Sequence, residues 1–159
     1  MTENNTPACI QLARARHPFA VRPLRDYRMA RMTHSAFPPR LYRTGGALVV
    51  ACGVIMGALT AHLPDTAFAT GGRAMAHGAM EMQMWQGLAL VALGLGAERL
   101  SSRLLRIGAA GVLLGTFLFC GAVYYTAFTG HHAEHVAPTG GSLLIVSWLC
   151  LALAWARGA

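Results

Sequence analysis

Six polar side chains stand inside apolar stretches of the sequence, where polar groups are costly and often functional. They are His62, Glu81, Gln83, Gln86, Thr116 and Thr126. Three of these residues, His62, Glu81 and Gln86, suit a polar path for a proton or a small solute. Glu81 has two other interpretations: a carboxylate near the water-exposed N-terminal end of a helix, or a partner of His62 or Arg73. Gln86 needs a hydrogen-bond partner, most simply a carbonyl or hydroxyl group of a neighbouring helix.

A second group of side chains has the chemistry of a metal site. Imidazole and thioether groups suit copper, and imidazole groups also suit zinc. The simpler interpretation is a polar loop with flexible packing residues. Three of the four histidines lie between Gly130 and Pro138, which suggests a loop. Three of the four methionines stand at every second position, which scatters them around a helix instead of along one face. The metal site and the polar loop both remain open as interpretations. The residues concerned are His77, His131, His132 and His135, with Met75, Met80, Met82 and Met84.

No sequence motif for catalysis or cofactor binding accompanies these residues. The sequence has no phosphate-binding glycine loop, nucleophile elbow, Cys-x-x-Cys pair or zincin helix. We therefore expect no catalytic residue, no cofactor and no enzymatic activity. Three of the four cysteines lie in apolar stretches, where we expect them to pack as small apolar residues; they are Cys52, Cys120 and Cys150.

The composition of the chain indicates which elements position these side chains. Hydrophobic residues make up 55% of the 159 residues, charged residues make up 12%, and the mean hydropathy is +0.44. Soluble domains carry about 25% charged residues, so this chain has too little charge for a water-exposed surface. The net charge is +7 and all 13 basic residues are arginine. No folded basic patch interleaved with aromatic residues occurs, so a nucleic-acid partner is not expected. The composition indicates a membrane protein.

Four apolar stretches predict an all-α protein, a compact bundle of four transmembrane helices. The predicted spans are residues 45–63, 77–97, 107–128 and 139–156. At 1.5 Å per residue, the first and third reach about 28 and about 33 Å, which matches a hydrocarbon core of about 30 Å. The purely apolar parts of the second and fourth reach only about 24 Å, so re-entrant or interfacial segments are the alternative there.

The arginines predict the orientation of these spans. With four crossings, 12 of the 13 arginines fall on one side, and Arg73 is the exception. The positive-inside rule makes the arginine-rich side cytoplasmic. Both chain termini are therefore expected in the cytoplasm.

The N-terminal region divides from the spans at about residue 43. Residues 1–43 contain eight arginines and five prolines without apolar periodicity, which predicts an irregular basic arm, and residues 44–159 form the transmembrane domain. Three interpretations of the arm remain open: a cytoplasmic arm resting on anionic lipid, a true translation start at Met29 or Met32 that makes 1–31 extra, and an organelle presequence. A signal peptide is a further alternative for the first span, with cleavage at Ala67-Phe68-Ala69.

Small residues predict how the helices pack. In lipid, helices associate where glycine allows close backbone approach. Two glycine pairs have the required four-residue spacing, within one chain or between chains: Gly53 with Gly57, and Gly111 with Gly115. Tyr124 and Tyr125 are expected as anchors at the membrane interface, and Trp148 as a packing residue.

Four short motifs follow one another along the chain. Gly57–His62 is similar to Gly-Ala-Phe-Gly-Ala-His, and Met82–Leu90 is similar to Tyr-Gln-Met-Tyr-His-Ala-Leu-Ala-Leu. Leu118–Tyr124 is similar to Leu-Phe-Ser-Gly-Ser-Leu-Tyr. Ala137–Gly141, with Trp148 following, is similar to Thr-Pro-Ile-Gly-Gly and a later Gly-Trp. Together these motifs resemble the YgdD/YwdK-type small membrane proteins, known as domain of unknown function four-two-three.

The resemblance implies a four-helix inner-membrane protein with a retained first span and with residues 1–31 as an addition. It implies no reaction. Two positions depart from the family pattern, because Gln86 stands where the family has histidine, and Thr60 stands where it has glycine. If that histidine carries proton or metal chemistry, this chain has lost it.

These observations lead to one expected function and two alternatives. We expect a non-enzymatic accessory or structural protein of the bacterial inner membrane, in contact with the bilayer and with a larger membrane complex or with itself. The first alternative is a small-solute carrier or channel that uses His62, Glu81 and Gln86. The second is a periplasm-facing copper or zinc protein that uses the four histidines.

Overall fold

Four α-helices make up most of the computed structural model, which describes residues 39–96 and 102–158. A short 3₁₀ turn, Asp65–Ala67, lies between the first two helices, and no strand occurs in the described residues. The expected all-α class is confirmed. The helices are α1 (Pro39–His62), α2 (Gly72–Gly96), α3 (Arg103–Thr129) and α4 (Val136–Ala156).

The first helix begins earlier than the sequence predicts. Residues 39–43 are part of the predicted irregular arm, but in the structure they form the first turn of α1. Proline suits this position because its fixed φ matches the helix and the first turn needs no N–H donor. Tyr42 in this turn is buried, and its hydroxyl donates to the Arg106 carbonyl oxygen at 3.3 Å. The remainder of the predicted arm, including Met29 and Met32, lies outside the described residues.

Local capping sets both ends of α3. The Ser102 hydroxyl accepts from the Leu105 amide at 3.2 Å, which satisfies one of the free N–H groups of the first turn. At the other end Gly130 has a φ of +72°, and its amide donates to the Thr126 carbonyl at 2.9 Å. Glycine adopts this left-handed conformation without strain, so the helix ends there.

The four helices run antiparallel to their neighbours along the chain. Each is packed closely on the next: α1 on α2, α2 on α3, and α3 on α4. The contact between α1 and α3 is narrow, and α4 packs closely on neither α1 nor α2. The structure therefore consists of two tight hairpins joined through α2 and α3, which is less closed than the compact bundle that the sequence predicts.

Glycine permits the close contact of α1 with α2, at positions that only partly match the prediction. A Cβ atom on Gly46 would lie 2.7 Å from the Gly87 carbonyl oxygen, and one on Gly53 would lie 2.8 Å from the Met84 sulfur. At Gly57 the nearest atom would be 3.7 Å away, on Met80, which is ordinary contact. The closest backbone approach is therefore at Gly46, near the start of α1, and not at Gly57.

The contact between α3 and α4 also depends on glycine. A Cβ on Gly111 would fall on the Ser147 hydroxyl, and one on Gly115 would lie 2.9 Å from Leu144 Cγ. From the other side, a Cβ on Gly140 would lie 2.5 Å from the Phe119 amide nitrogen. Gly53, Gly111 and Gly115 thus all face helices of the same chain.

Three helices are long and apolar enough to cross a membrane. They are α1 from Arg40, α3 and α4, with mean hydropathies of 1.8, 1.9 and 1.8. With 25 residues α2 is also long enough, but its polar residues keep it below the hydropathy of the other three. Large apolar side chains are exposed along the described helices, as expected of a lipid-facing surface; examples are Leu48, Ile107, Phe117 and Ile145.

Because the helices are antiparallel, the described arginines are distributed very unequally between the two ends of the helices. The first turn of α1, the first turn of α3 and the residue after α4 all lie at one end, called the arginine end below. The arginines there are Arg40, Arg43, Arg103, Arg106 and Arg157. The α1–α2 and α3–α4 connections lie at the opposite end, called the loop end, with Arg73.

Candidate functional site

Arg73 is the polar centre of the loop end. Its guanidinium donates to two carbonyl oxygens at the end of α1, those of Thr60 and Leu63, the latter at 2.6 Å. Its Nε also donates to the Asp65 carboxylate at 2.8 Å. Carbonyls in the last turn of a helix have no partner within the helix. Arg73, in the first turn of α2, therefore caps α1 and fixes the connection between the two helices.

Aromatic stacking joins this connection to α3. Phe68 stacks on Phe128, with 5.0 Å between ring centroids, and the Arg73 guanidinium lies 4.8 Å from the Phe68 centroid. Next to this stack, the Ala69 amide donates to the Ala127 carbonyl at 2.9 Å. Ala67-Phe68-Ala69, the hypothetical signal-peptide cleavage motif, is thus packed and hydrogen-bonded. A cavity of 630 Å³ opens beside it and reaches His77.

The residues of the hypothetical polar path do not come together. Glu81 pairs with neither His62 nor Arg73; its carboxylate lies 3.8 Å from His77 Nδ1, one turn away on the same helix, and both side chains are more than half exposed. His62 is exposed at the end of α1, whereas Gln86 is buried between helices. Within the described residues, no hydrogen bond or ion pair links these three side chains.

The histidines of the hypothetical metal site are exposed side chains at the loop end. His131 and His132 lie in the connection between α3 and α4, His135 immediately precedes α4, and His77 lies in α2. Across residues 39–96 and 102–158, no three His, Cys, Asp or Glu side chains are close enough together to hold a metal ion.

Gln83 forms a buried hydrogen-bond junction between three helices. Its amide nitrogen donates to the Val49 carbonyl of α1 at 2.9 Å, and its amide oxygen accepts from the Tyr124 hydroxyl of α3 at 2.8 Å. Gln83 is only 7% exposed. Tyr124, expected as an anchor at the membrane interface, directs its hydroxyl inward to Gln83.

Gln86 makes the corresponding link to α4. Its amide oxygen accepts from the indole N–H of Trp148 at 3.0 Å, and its amide nitrogen lies 4.0 Å from the Met82 sulfur. The partner is therefore neither the carbonyl nor the hydroxyl that the sequence suggested. Trp148 has a polar role as well as its expected packing role, and it joins two helices whose backbones remain apart.

An apolar groove runs between α2 and α4 because these helices are held apart. The section nearer the loop end, called the upper section, has a volume of 460 Å³. The hydrogen-bonded side chains of Gln86 and Trp148 line it together with Phe119 of α3. Its lower section, a separate cavity of 270 Å³ on the other side of Trp148, lies toward the arginine end and is lined there by Leu105 and Trp155. The groove is thus almost entirely hydrocarbon, with one hydrogen-bonded amide inside it.

Residues 56–141, more than half of the chain, match the family described as "Protein of unknown function (DUF423)". The chain belongs to the DUF423 family. The resemblance found in the four short motifs is thereby confirmed.

One curated relative of this DUF423 chain is a "UPF0382 membrane protein" of Haemophilus influenzae, strain Rd. The two proteins are 32% identical over 74 residues, which is 46% of this chain and 59% of the relative. The chain thus spans less than two thirds of that relative's length. No solved structure matches this sequence.

The DUF423 match contains only part of the interhelical network. It includes Gln83, Gln86 and Tyr124, whereas Trp148 and the close-approach glycine Gly46 lie outside it. Sequence reasoning missed Gly46 as a packing residue, although the Gly45–Gly46 pair at the start of an apolar run was a usable signal. It also missed the link from Gln86 to Trp148, because nothing local relates residues that are 62 positions apart.

Proposed function

We propose that this DUF423 protein crosses the bacterial inner membrane four times, with the arginine end in the cytoplasm. The position of α2 between α1 and α3 supports a fourth crossing. Its buried amides Gln83 and Gln86 are hydrogen-bonded to neighbouring helices, which reduces the cost of polar groups in lipid. The charge asymmetry between the two ends supports the orientation.

Within that membrane, the protein is a non-enzymatic accessory or structural component of a larger assembly. The observation that supports this proposal is that the interior polar groups already have hydrogen-bond partners within the protein. Gln83, Gln86, Tyr124 and Trp148 bond to one another or to backbone, and no buried side-chain nitrogen or oxygen of the described residues lacks a partner. Such groups act as structural links between helices. Interaction then depends on the lipid-exposed helical surface.

A combined purification and transport assay tests this function. The full-length protein, tagged and extracted in mild detergent, is expected to bring down a stoichiometric membrane protein, and its eluate is expected to contain no stoichiometric copper or zinc. In liposomes, it should cause no proton or small-ion flux above that of empty vesicles.

Two results would contradict the accessory role. Flux that is abolished by Glu81→Gln, with unchanged thermal stability, would establish a carrier. Glu134→Gln is the matched control for that variant, because it makes the same change at an exposed position between α3 and α4. A lone protein with one bound copper or zinc ion, lost on replacement of His131 and His135, would establish a metal protein.

A further inference from the structure

We propose that the groove between α2 and α4 is a binding site for one anionic phospholipid. An acyl chain lies along the apolar groove, and the phosphate of the headgroup contacts Arg103 and Arg157. This proposal rests on the four-span topology and the orientation proposed above, because α2 and α4 form the groove. It goes beyond the accessory role, which it neither needs nor implies.

The dimensions of the groove suit an acyl chain. Its lining residues on α4 extend from Gly141 to Trp155, which is about 21 Å at 1.5 Å per residue. One leaflet of the hydrocarbon core is about 15 Å deep. The two sections, 460 and 270 Å³, have room for a slender chain or for side chains, and not for the body of a helix about 10 Å across. A slender alkyl chain therefore fits this space better than a helix does.

The chemistry of the lining also suits an acyl chain. The groove surface consists of aliphatic and aromatic side chains, and its one amide, Gln86, is already bonded to Trp148. A ligand in the groove needs no polar group along its length. Since the bilayer is the solvent around these helices, lipid reaches the groove directly from the side.

Charge complementarity selects the headgroup. Arg103 lies in the first turn of α3, and Arg157 directly follows α4. Neither arginine lines the lower section itself, but both lie at the arginine end, which that section approaches. Both arginines are exposed. The carboxylates within residues 39–96 and 102–158 are Asp65, Glu81 and Glu134, all toward the loop end, and Glu98 lies outside the described residues. Two exposed cations at the end of the helices that the lower section approaches attract a phosphate, and anionic lipids are abundant at a cytoplasmic surface.

Quenching by brominated lipids tests the site directly. Two of the three tryptophans, Trp148 and Trp155, line the groove, and Trp85→Phe removes the third. The full-length protein is reconstituted in phosphatidylcholine vesicles with increasing fractions of phosphatidylglycerol brominated on its chains. We expect saturable quenching with an apparent affinity well above that for brominated phosphatidylcholine. Each arginine near an anionic headgroup should contribute about fivefold.

Two variants, each with a matched control, distinguish recognition of the headgroup from occupation of the groove by the acyl chain. Arg103→Gln with Arg157→Gln should remove most of the phosphatidylglycerol preference, whereas Arg40→Gln, a change at the same end but outside the groove, should preserve it. Ala92→Phe should fill the lower section and reduce quenching by both lipids. Ala51→Phe, on the exposed surface of α1, should not reduce it.

Three outcomes would overturn the proposal. The first is equal quenching by the two lipids in the unmodified protein. The second is an unchanged preference in the double arginine variant, which keeps the groove and so stays informative if Ala92→Phe does not fold. The third is dissociation of an oligomer by Ala92→Phe in native mass spectrometry, which would assign the groove to a second copy of the chain.

Discussion

At the residue scale, the junction at Gln83 explains why a polar side chain is present in the interior. Its two hydrogen bonds connect α2 to the backbone of α1 and to Tyr124 of α3. Interhelical hydrogen bonds in membranes contribute about 0.6 kcal/mol on average and up to about 1.7 kcal/mol. Gln83 is therefore a modest stabiliser that also fixes which helices are neighbours.

A double-mutant cycle of Gln83 and Tyr124 measures this link. We expect Gln83→Leu and Tyr124→Phe each to lower the free energy of unfolding in detergent, with a coupling of about 0.6–1.7 kcal/mol between them. Tyr125→Phe is the control, because Tyr125 is 53% exposed. Additive effects of the two changes would contradict the hydrogen bond.

Arg73 gives a second prediction at this scale. Arg73→Gln removes the charged donors that bind Thr60 and Leu63 of α1, and charged hydrogen bonds contribute about 1.5–3 kcal/mol each. We expect faster hydrogen exchange and proteolysis in residues 63–71 and a lower melting temperature. Asp65→Asn should change little, since its carboxylate is 90% exposed and exposed ion pairs contribute little. Larger loosening in Asp65→Asn than in Arg73→Gln would contradict the capping role.

At the scale of the helices, close packing depends on a few glycines. Gly46→Ala places a Cβ 2.7 Å from the Gly87 carbonyl oxygen, so the helices must move apart, at a cost of about 1–3 kcal/mol. Gly57→Ala meets only ordinary contacts and gains about 1 kcal/mol of helix propensity. Thermal unfolding of both variants in the same detergent is expected to show opposite shifts. Equal shifts would contradict the assigned α1–α2 register.

The number of helices and their approximate ends could be predicted from the sequence. The lengths of the apolar stretches predict four helices whose ends agree with the structure within about six residues. The early starts of α1 and α2 were missed, because Arg40 and Arg73 carry charge although their backbones are helical. Pairings such as Gly46 with Gly87, or Gln86 with Trp148, depend on the register between helices. Composition and local periodicity contain no information on that register.

For the whole molecule, the distribution of arginine is the feature with the largest consequence. It predicts the orientation, and it places Arg103 and Arg157 at the end of the helices that the lower section of the α2–α4 groove approaches. Changing Arg103 and Arg106 together to Gln is expected to weaken the positive-inside signal. A reporter at the C-terminus should then give mixed cytoplasmic and periplasmic populations. A fully cytoplasmic reporter would show that the remaining arginines are sufficient to set the orientation.

The number of membrane crossings is the most decisive quantity to measure, since α2 is the helix whose composition is least apolar. Single cysteines at positions 66, 103, 132 and 158, in a variant without the native cysteines, can be labelled on intact cells with an impermeant maleimide. We predict labelling from outside at 66 and 132, and labelling at 103 and 158 only after permeabilisation. Labelling of 66 and 103 from the same side would show that α2 does not cross, and would contradict the four-span topology.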